Sequence, residues 1–156
     1  MMGATTRTLS IGDWPQWRSL RLEALADAPA AFGSKLCDWI DAPDERWDSR
    51  MRDVPLNVIA MLDNEPVGQV SALHGGPPAS VELISMWVAP MARGAGVGDV
   101  LIGAVISWAV SQEASSVELC VKESNRPARR LYERNQFLVD GTGDEADKVR
   151  MVRTLS

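Results

Sequence analysis

Metal chemistry and disulfides have little to work with in this chain. Its 156 residues include two cysteines and one histidine. Cys37 and Cys120 fit no metal or redox spacing and are expected as reduced thiols in a core. His74 has no cysteine or acidic ligand beside it, and its Gly75-Gly76-Pro77-Pro78 neighbourhood reads as a loop, so no metal is expected. Positive charge is also scarce: 16 Lys and Arg stand against 21 Asp and Glu, a net −5. A general nucleic-acid binder needs the opposite balance to neutralise phosphates, and that class is excluded. Long apolar runs are missing too. The longest, Val97 to Val110, is interrupted by Asp99, Gly103 and Ser107 and is too short to span a bilayer. The N-terminus lacks the basic-then-apolar order of a signal peptide, so a cytoplasmic protein without membrane contact is expected.

What remains is globular. Hydrophobic residues make up 46% and charged residues 24%, enough for one compact domain over residues 1–156, with no repeat or low-complexity tract. Asp13, Pro15 and Gln16 open a helix expected to reach about Ala26, with Asp13 as its cap. Trp17, Leu20, Ala24 and Ala28 form its apolar stripe. Ala30 to Asp41 is ambiguous, and Asp44 to Arg52 reads as a second short helix. Leu56 to Leu62 and Pro66 to Leu73 form a hairpin around Asp63-Asn64-Glu65. Ser80 to Ala89 follows as a strand, with Val81, Leu83, Ser85 and Trp87 on one face and Glu82, Ile84, Met86 and Val88 on the other. Both faces are largely apolar, which predicts a central strand covered on both sides. Val97 to Gln112 is a helix, Val117 to Lys122 a strand, and Ser124-Asn125-Arg126-Pro127 starts a helix lasting to about Arg134 or Asn135. Phe137 to Asp140 and Val149 to Leu155 close the sheet as a pair.

Between the central strand and the apolar helix lies Arg93-Gly94-Ala95-Gly96-Val97-Gly98. Backbone N–H groups there can converge at the positive end of a helix, which makes a nest for an anion. Alternate glycines permit positive φ and close approach, and Arg93 adds a charge-assisted contact. No Gly-Lys-Ser or Gly-Lys-Thr follows, so the loop is not of the nucleoside triphosphate kind. Asp99 stands where the third glycine of a dinucleotide fingerprint would fall, and the chain is too short for a second mononucleotide-binding half.

The string from Val88 through Arg93 and Gly98 to Leu101 resembles the pyrophosphate motif of the GNAT superfamily of N-acetyltransferases. Asn125, Ala128, Leu131-Tyr132-Glu133 and Phe137 resemble that family's second motif. Together they cover about Ser80 to Phe137, whereas the N-terminal third matches only in its order of elements. The resemblance implies an α/β fold with a mixed, mostly antiparallel central sheet of six to seven strands, splayed in the middle and flanked by about four helices. It implies acetyl-CoA as co-substrate, with pantetheine between Ser80 to Ala89 and Val117 to Lys122. Pantetheine amides would then pair with the backbone at Trp87 and Val88, and the diphosphate would sit on Arg93, Gly94, Ala95, Gly96, Val97 and Gly98. Asn125 contacts the cofactor, caps its helix, or both. Gln136 replaces the glycine usual before the phenylalanine, which leaves Asn135 to take the left-handed turn.

Direct attack of an amine on a thioester needs a deprotonated nucleophile, a polarised carbonyl and a proton for the departing thiolate. Tyr132, the only tyrosine, resembles the family's general acid. Cys120 stands where some relatives carry a catalytic glutamate. Glu82 is then the leading candidate base, with Glu118 and a water relay as alternatives. Trp39 and Trp47, with Asp38, Asp41 and Asp44 nearby, lie where the acceptor site is shaped and could favour a cationic amine. The expected reaction is N-acetylation of a small-molecule or peptide amine, with a non-catalytic acyl-CoA-binding module as the alternative. The paired terminal strands would allow a homodimer.

Overall fold

The computed structural model describes residues 3–29, 35–76 and 79–155. Seven strands form one sheet in the order β1-β2-β3-β4-β5-β7-β6. They are β1 (Thr5–Thr8), β2 (Leu56–Leu62), β3 (Glu65–His74), β4 (Ser80–Val88), β5 (Ser116–Lys122), β6 (Leu138–Thr142) and β7 (Lys148–Thr154). The helices are α1 (Trp14–Asp27), the single turn α2 (Leu36–Trp39), α3 (Asp44–Asp53), α4 (Val97–Ser111) and α5 (Arg126–Arg134). The fold is therefore the expected mixed, mostly antiparallel α/β sheet. Of the ambiguous Ala30 to Asp41 segment, residues 30–34 lie outside the described residues, as do Pro77 and Pro78 of the loop after His74. His74 itself ends β3, with its ring centroid 5.1 Å from that of Trp108.

Two apolar layers sandwich the sheet. On one face Val58, Val70, Val81, Leu83 and Leu119 pack against Val97, Leu101 and Val105 of α4 and against Tyr132 and Phe137. On the other, Ile59 and Trp87 pack against Trp17 and Leu20 of α1 and Trp47 and Met51 of α3. The β2–β3 turn is shorter than expected. Asp63 and Asn64 both have positive φ (52° and 65°), the conformation of a two-residue I′ hairpin, and Glu65 already belongs to the strand.

Helix α1 starts differently from the expectation. Asp13 accepts from the Ser10 N–H at 2.9 Å and hydroxyl at 3.0 Å, closing a 3₁₀ turn over Ile11–Asp13. It makes no side-chain cap to α1, and Gln16 instead accepts from Arg7 at 2.9 Å. Ala28 closes α1 as its C-cap while Leu25 joins the buried stripe.

Strand β4 departs from simple alternation. Gln69 pairs with Trp87 but Ser71 pairs with Ile84, so the extra residue on β4 forms a bulge, and Ser85 within it has φ 58°. The bulge reverses the faces. Met86 and Val88 pack with Val81 and Leu83 against the α4 layer, while Trp87 turns to the α1 layer.

Candidate active site

Strands β4 and β5 run parallel and are paired only at Ser80↔Ser116, Val81↔Val117 and Glu82↔Glu118. Beyond that point β5 stays on β7 through Lys122, and β4 stays on β3 through Val88. The sheet therefore opens into a V between Leu83–Val88 and Leu119–Lys122. This edge of β4 has backbone groups with no strand beside them, and such groups need another partner. A cleft of about 970 Å³ fills the opening. Its lining includes Leu83 to Val88, Leu119 to Lys122, Arg93 and the start of α4, with Asn125, Leu131 and Tyr132 from α5.

At the mouth of the cleft, Gly94 and Gly96 have φ of 85° and 81°. A Cβ on either would meet no atom of the described residues within 4 Å, so the left-handed backbone is what needs glycine there. No side chain caps α4. Among the described residues, the N–H groups of Gly94, Gly96, Val97 and Gly98 have no acceptor, whereas Ala95 donates to Ala92 at 3.3 Å. Ala95 is the one member of the loop that does not line the cleft. Gly98 has a further role, since a Cβ there would lie 2.7 Å from Leu131 Cδ2, and its absence lets α4 and α5 close up. The loop is thus a cluster of unmet donors at a helix N-terminus, the arrangement that binds phosphate.

Arg93 is held beside this nest. Its Nε donates to Val88 O at 3.1 Å and its Nη2 to Asp27 Oδ2 at 2.7 Å. The same carboxylate oxygen accepts from Trp87 Nε1 at 3.0 Å. The Trp87 bond, followed by Arg93, holds the Asp27 carboxyl below its ordinary range. Asp27 ties the end of α1 to both the strand and the loop. Sequence reading missed it, because its partners lie 60 and 66 residues away.

Tyr132 is 6% exposed, lines the cleft and meets Phe137 edge-on at 5.9 Å. Burial pushes its phenol up, so the hydroxyl keeps its proton across the working pH range. Asn125 caps α5, accepting from Ala128 N at 3.4 Å, and also lines the cleft. The helix ends with Gln136 left-handed at φ 71°, while Asn135 stays at φ −95°. Asn135 instead donates to Asp99 Oδ1 and Leu131 O, both at 2.9 Å.

Glu82 is half-buried at the apex of the V, on the last paired rung, and does not line the cleft. Burial first, then the charges of Glu118 and Asp144, raises its carboxyl above the usual 4.5. Glu118 is bound to Arg150 at 2.5 Å. Both expected buried thiols are exposed, and Cys120 lines the cleft. Val117, Leu119 and Val121 belong to the α4 layer, so alternation turns Cys120 to the opposite side, where no buried layer of the described residues covers β5. Trp47 is 1% exposed inside the α1–α3 layer and cannot form part of an aromatic mouth. Trp39 packs on it at 4.7 Å and lies under Arg46.

The model of the Acetyltransferase (GNAT) family matches residues 14–137. The chain belongs to the GNAT acetyltransferase family. Solved structures agree in fold. A GCN5-related N-acetyltransferase from Kribbella flavida is 24% identical with a TM-score of 0.78, over 98% of each chain. A ribosomal-protein-alanine N-acetyltransferase from Brucella melitensis is 23% identical with a TM-score of 0.74, over 97% of this chain and 99% of that one. YncA, a putative acetyltransferase from Salmonella typhimurium solved with its cofactor acetyl-CoA, is 19% identical with a TM-score of 0.77, over 99% of this chain and 95% of that one. No curated protein sequence matches the chain. In this GNAT chain no helix among the described residues is long and apolar enough to cross a membrane.

Proposed function

We propose that the protein transfers an acetyl group from acetyl-CoA to a primary amine by direct attack within a ternary complex. The observation that carries this reading is the set of unmet N–H donors from Gly94 to Gly98 at the mouth of the V. It faces a cleft that also holds a buried, protonated phenol. Family membership supplies the reaction class, and the YncA complex with acetyl-CoA supports the co-substrate.

Acetyl-CoA brings a thioester whose acyl carbon accepts the amine. The Gly94, Gly96, Val97 and Gly98 amides and Arg93 bind the diphosphate, and the open edge of β4 at Trp87 and Val88, where Val88 O already accepts from Arg93 Nε, pairs through its remaining groups with the pantetheine amides. Tyr132 gives its proton to the departing sulfur as the N–C bond forms and the C–S bond breaks. Glu82, directly or through water, takes the proton the amine sheds, and its raised pKa suits it to hold that proton. An ammonium with pKa of roughly 10.4 would otherwise spend about 4 to 5 kcal/mol to become neutral at pH 7.

Replacing Tyr132 with Phe tests the reading. Turnover, followed as free thiol release with a panel of amines, falls tenfold or more while the acetyl-CoA dissociation constant changes less than twofold. Unchanged turnover removes Tyr132 as the acid. Binding without turnover in the wild-type protein favours a non-catalytic acyl-CoA-binding module.

A further inference from the structure

On the α1–α3 face of the sheet lies a polar group that the transfer chemistry does not use. Gln69 is 0% exposed, and neither its amide nitrogen nor its amide oxygen has a hydrogen-bond partner. A buried amide left wholly unpaired in a folded protein calls for an explanation, and a bound ligand is one. Two residues further along the same face, Ser71 accepts from Arg50 Nη2 at 3.1 Å. Arg50 also donates to Asn57 Oδ1 at 2.9 Å and lies 4.8 Å from the ring centroid of Trp17, whose indole N–H is buried without a partner.

Arg50 is a charge without a counter-ion in contact. Its hydrogen bonds go to the neutral oxygens of Asn57 and Ser71, and among the described residues no carboxylate lies within 4 Å of it. Burial, then the charge of Arg21, pulls its pKa down to about 10, with Asp53 acting against them. Arg21, on the facing side of α1, is likewise lowered to about 10 by burial. Arg50, half-buried, bonded only to neutral oxygens and opposed by the like charge of Arg21, carries a positive potential that an anion would relieve. A planar fork beside an amide is also the geometry that reads a carboxylate.

The position of this cluster relative to the reaction decides what the anion belongs to. Along the shared face, Ser71 pairs with Ile84 and Leu73 with Glu82. One strand spacing of about 4.8 Å and a two-residue rise of about 6.7 Å put the Ser71 and Glu82 Cα atoms about 8 Å apart. A separation of that size suits a short molecule engaged at both ends. We infer that Arg50 and Gln69 form a subsite for the carboxylate of the acceptor, so that the preferred substrate is a small amino acid or its close analogue rather than a simple cationic amine. The inference rests on the N-acetyl transfer proposed above.

The test uses matched acceptors: alanine, alaninamide and ethylamine, and phenylalanine, its amide and phenethylamine. Thermal unfolding of the full chain with saturating CoA reads binding without turnover, and thiol release reads kcat/KM. In the wild-type protein the carboxylate-bearing member of at least one series raises Tm and exceeds its amide tenfold or more in kcat/KM. Arg50→Gln reduces that preference to less than twofold, with KM for acetyl-CoA within twofold of wild type. Gln69→Leu, nearly isosteric and free of the orphaned amide, does the same while keeping or raising Tm, and it carries the test should Arg50→Gln not fold. Equal treatment of acid and amide by the wild-type protein, or a preference that survives Gln69→Leu, overturns the subsite and leaves acetyl transfer standing. Failure of acetyl-CoA to bind instead removes the proposed function, and the Tm response to carboxylates still reports on Arg50 and Gln69.

Discussion

Gly96 allows stability and cofactor binding to be separated. It is the N-cap of α4 at φ 81°, ψ 7°, and a Cβ there would touch none of the described residues. Gly96→Ala therefore meets no steric conflict among the described residues and costs what an L-residue in the left-handed region costs, about 1–2 kcal/mol. Gly103, exposed in the interior of α4 and equally free of contacts, gives the opposite change: Gly103→Ala gains about 0.5–1 kcal/mol by restricting the unfolded chain. In a chain of 156 residues each kcal/mol moves Tm by about 2–4 °C. Gly96→Ala should lower Tm by about 2–8 °C, and Gly96→Ala/Gly103→Ala should recover part of it. Affinity should not recover, because on the proposed reading the new methyl group stands where the diphosphate approaches the N–H groups. Titration calorimetry with acetyl-CoA should show at least a tenfold weaker Kd, about 1.4 kcal/mol, in both the single and the double variant. Wild-type affinity in the double variant would refute the loop as the diphosphate site.

Three further outcomes follow from the site. As proposed base, Glu82 acts only when ionised, so kcat/KM should rise with pH through its raised pKa and then level, and Glu82→Gln should lose about a hundredfold and that rising limb. The folded-state pKa of Glu82 lies above its unfolded value near 4.5. Its protonated form thus favours folding, fully below that value, with the benefit lost as pH rises through the folded pKa; urea melts of Glu82→Gln should lack this step. Cys120 lines the cleft and Cys37 does not, so acetyl-CoA should protect Cys120 from maleimide and leave Cys37 reactive, as read by peptide mass spectrometry.

The parts legible from the sequence are those where local chemistry and tertiary need coincide. Arg93 to Gly98 reads as an anion nest because glycine spacing, a preceding strand and a following apolar helix all carry the same message. Asp63-Asn64 reads as a hairpin because both residues tolerate positive φ. Strand β1 was missed for the converse reason: Thr5, Thr6, Arg7 and Thr8 are all exposed, and a strand added at a sheet edge leaves no apolar alternation. The β4 bulge is silent as well. Ser85 has no preference for the left-handed region, and strict alternation therefore grouped Trp87 with Leu83 when it faces the other layer. Residue type places Cys120 in a core, but among the described residues no buried layer covers that side of β5. Asp27 and Gln69 depend on partners distant in sequence or on having none, and neither condition is written locally.

The three rungs joining β4 to β5 make the sheet two leaves on a narrow pivot. From Glu82 to Val88 the leaf extends six residues, about 20 Å, so turning it by one degree about the pivot displaces its tip by about 0.35 Å. Packing changes near Ser80 and Ser116, at the closed end of the V, can thus widen or pinch the gap at its open end.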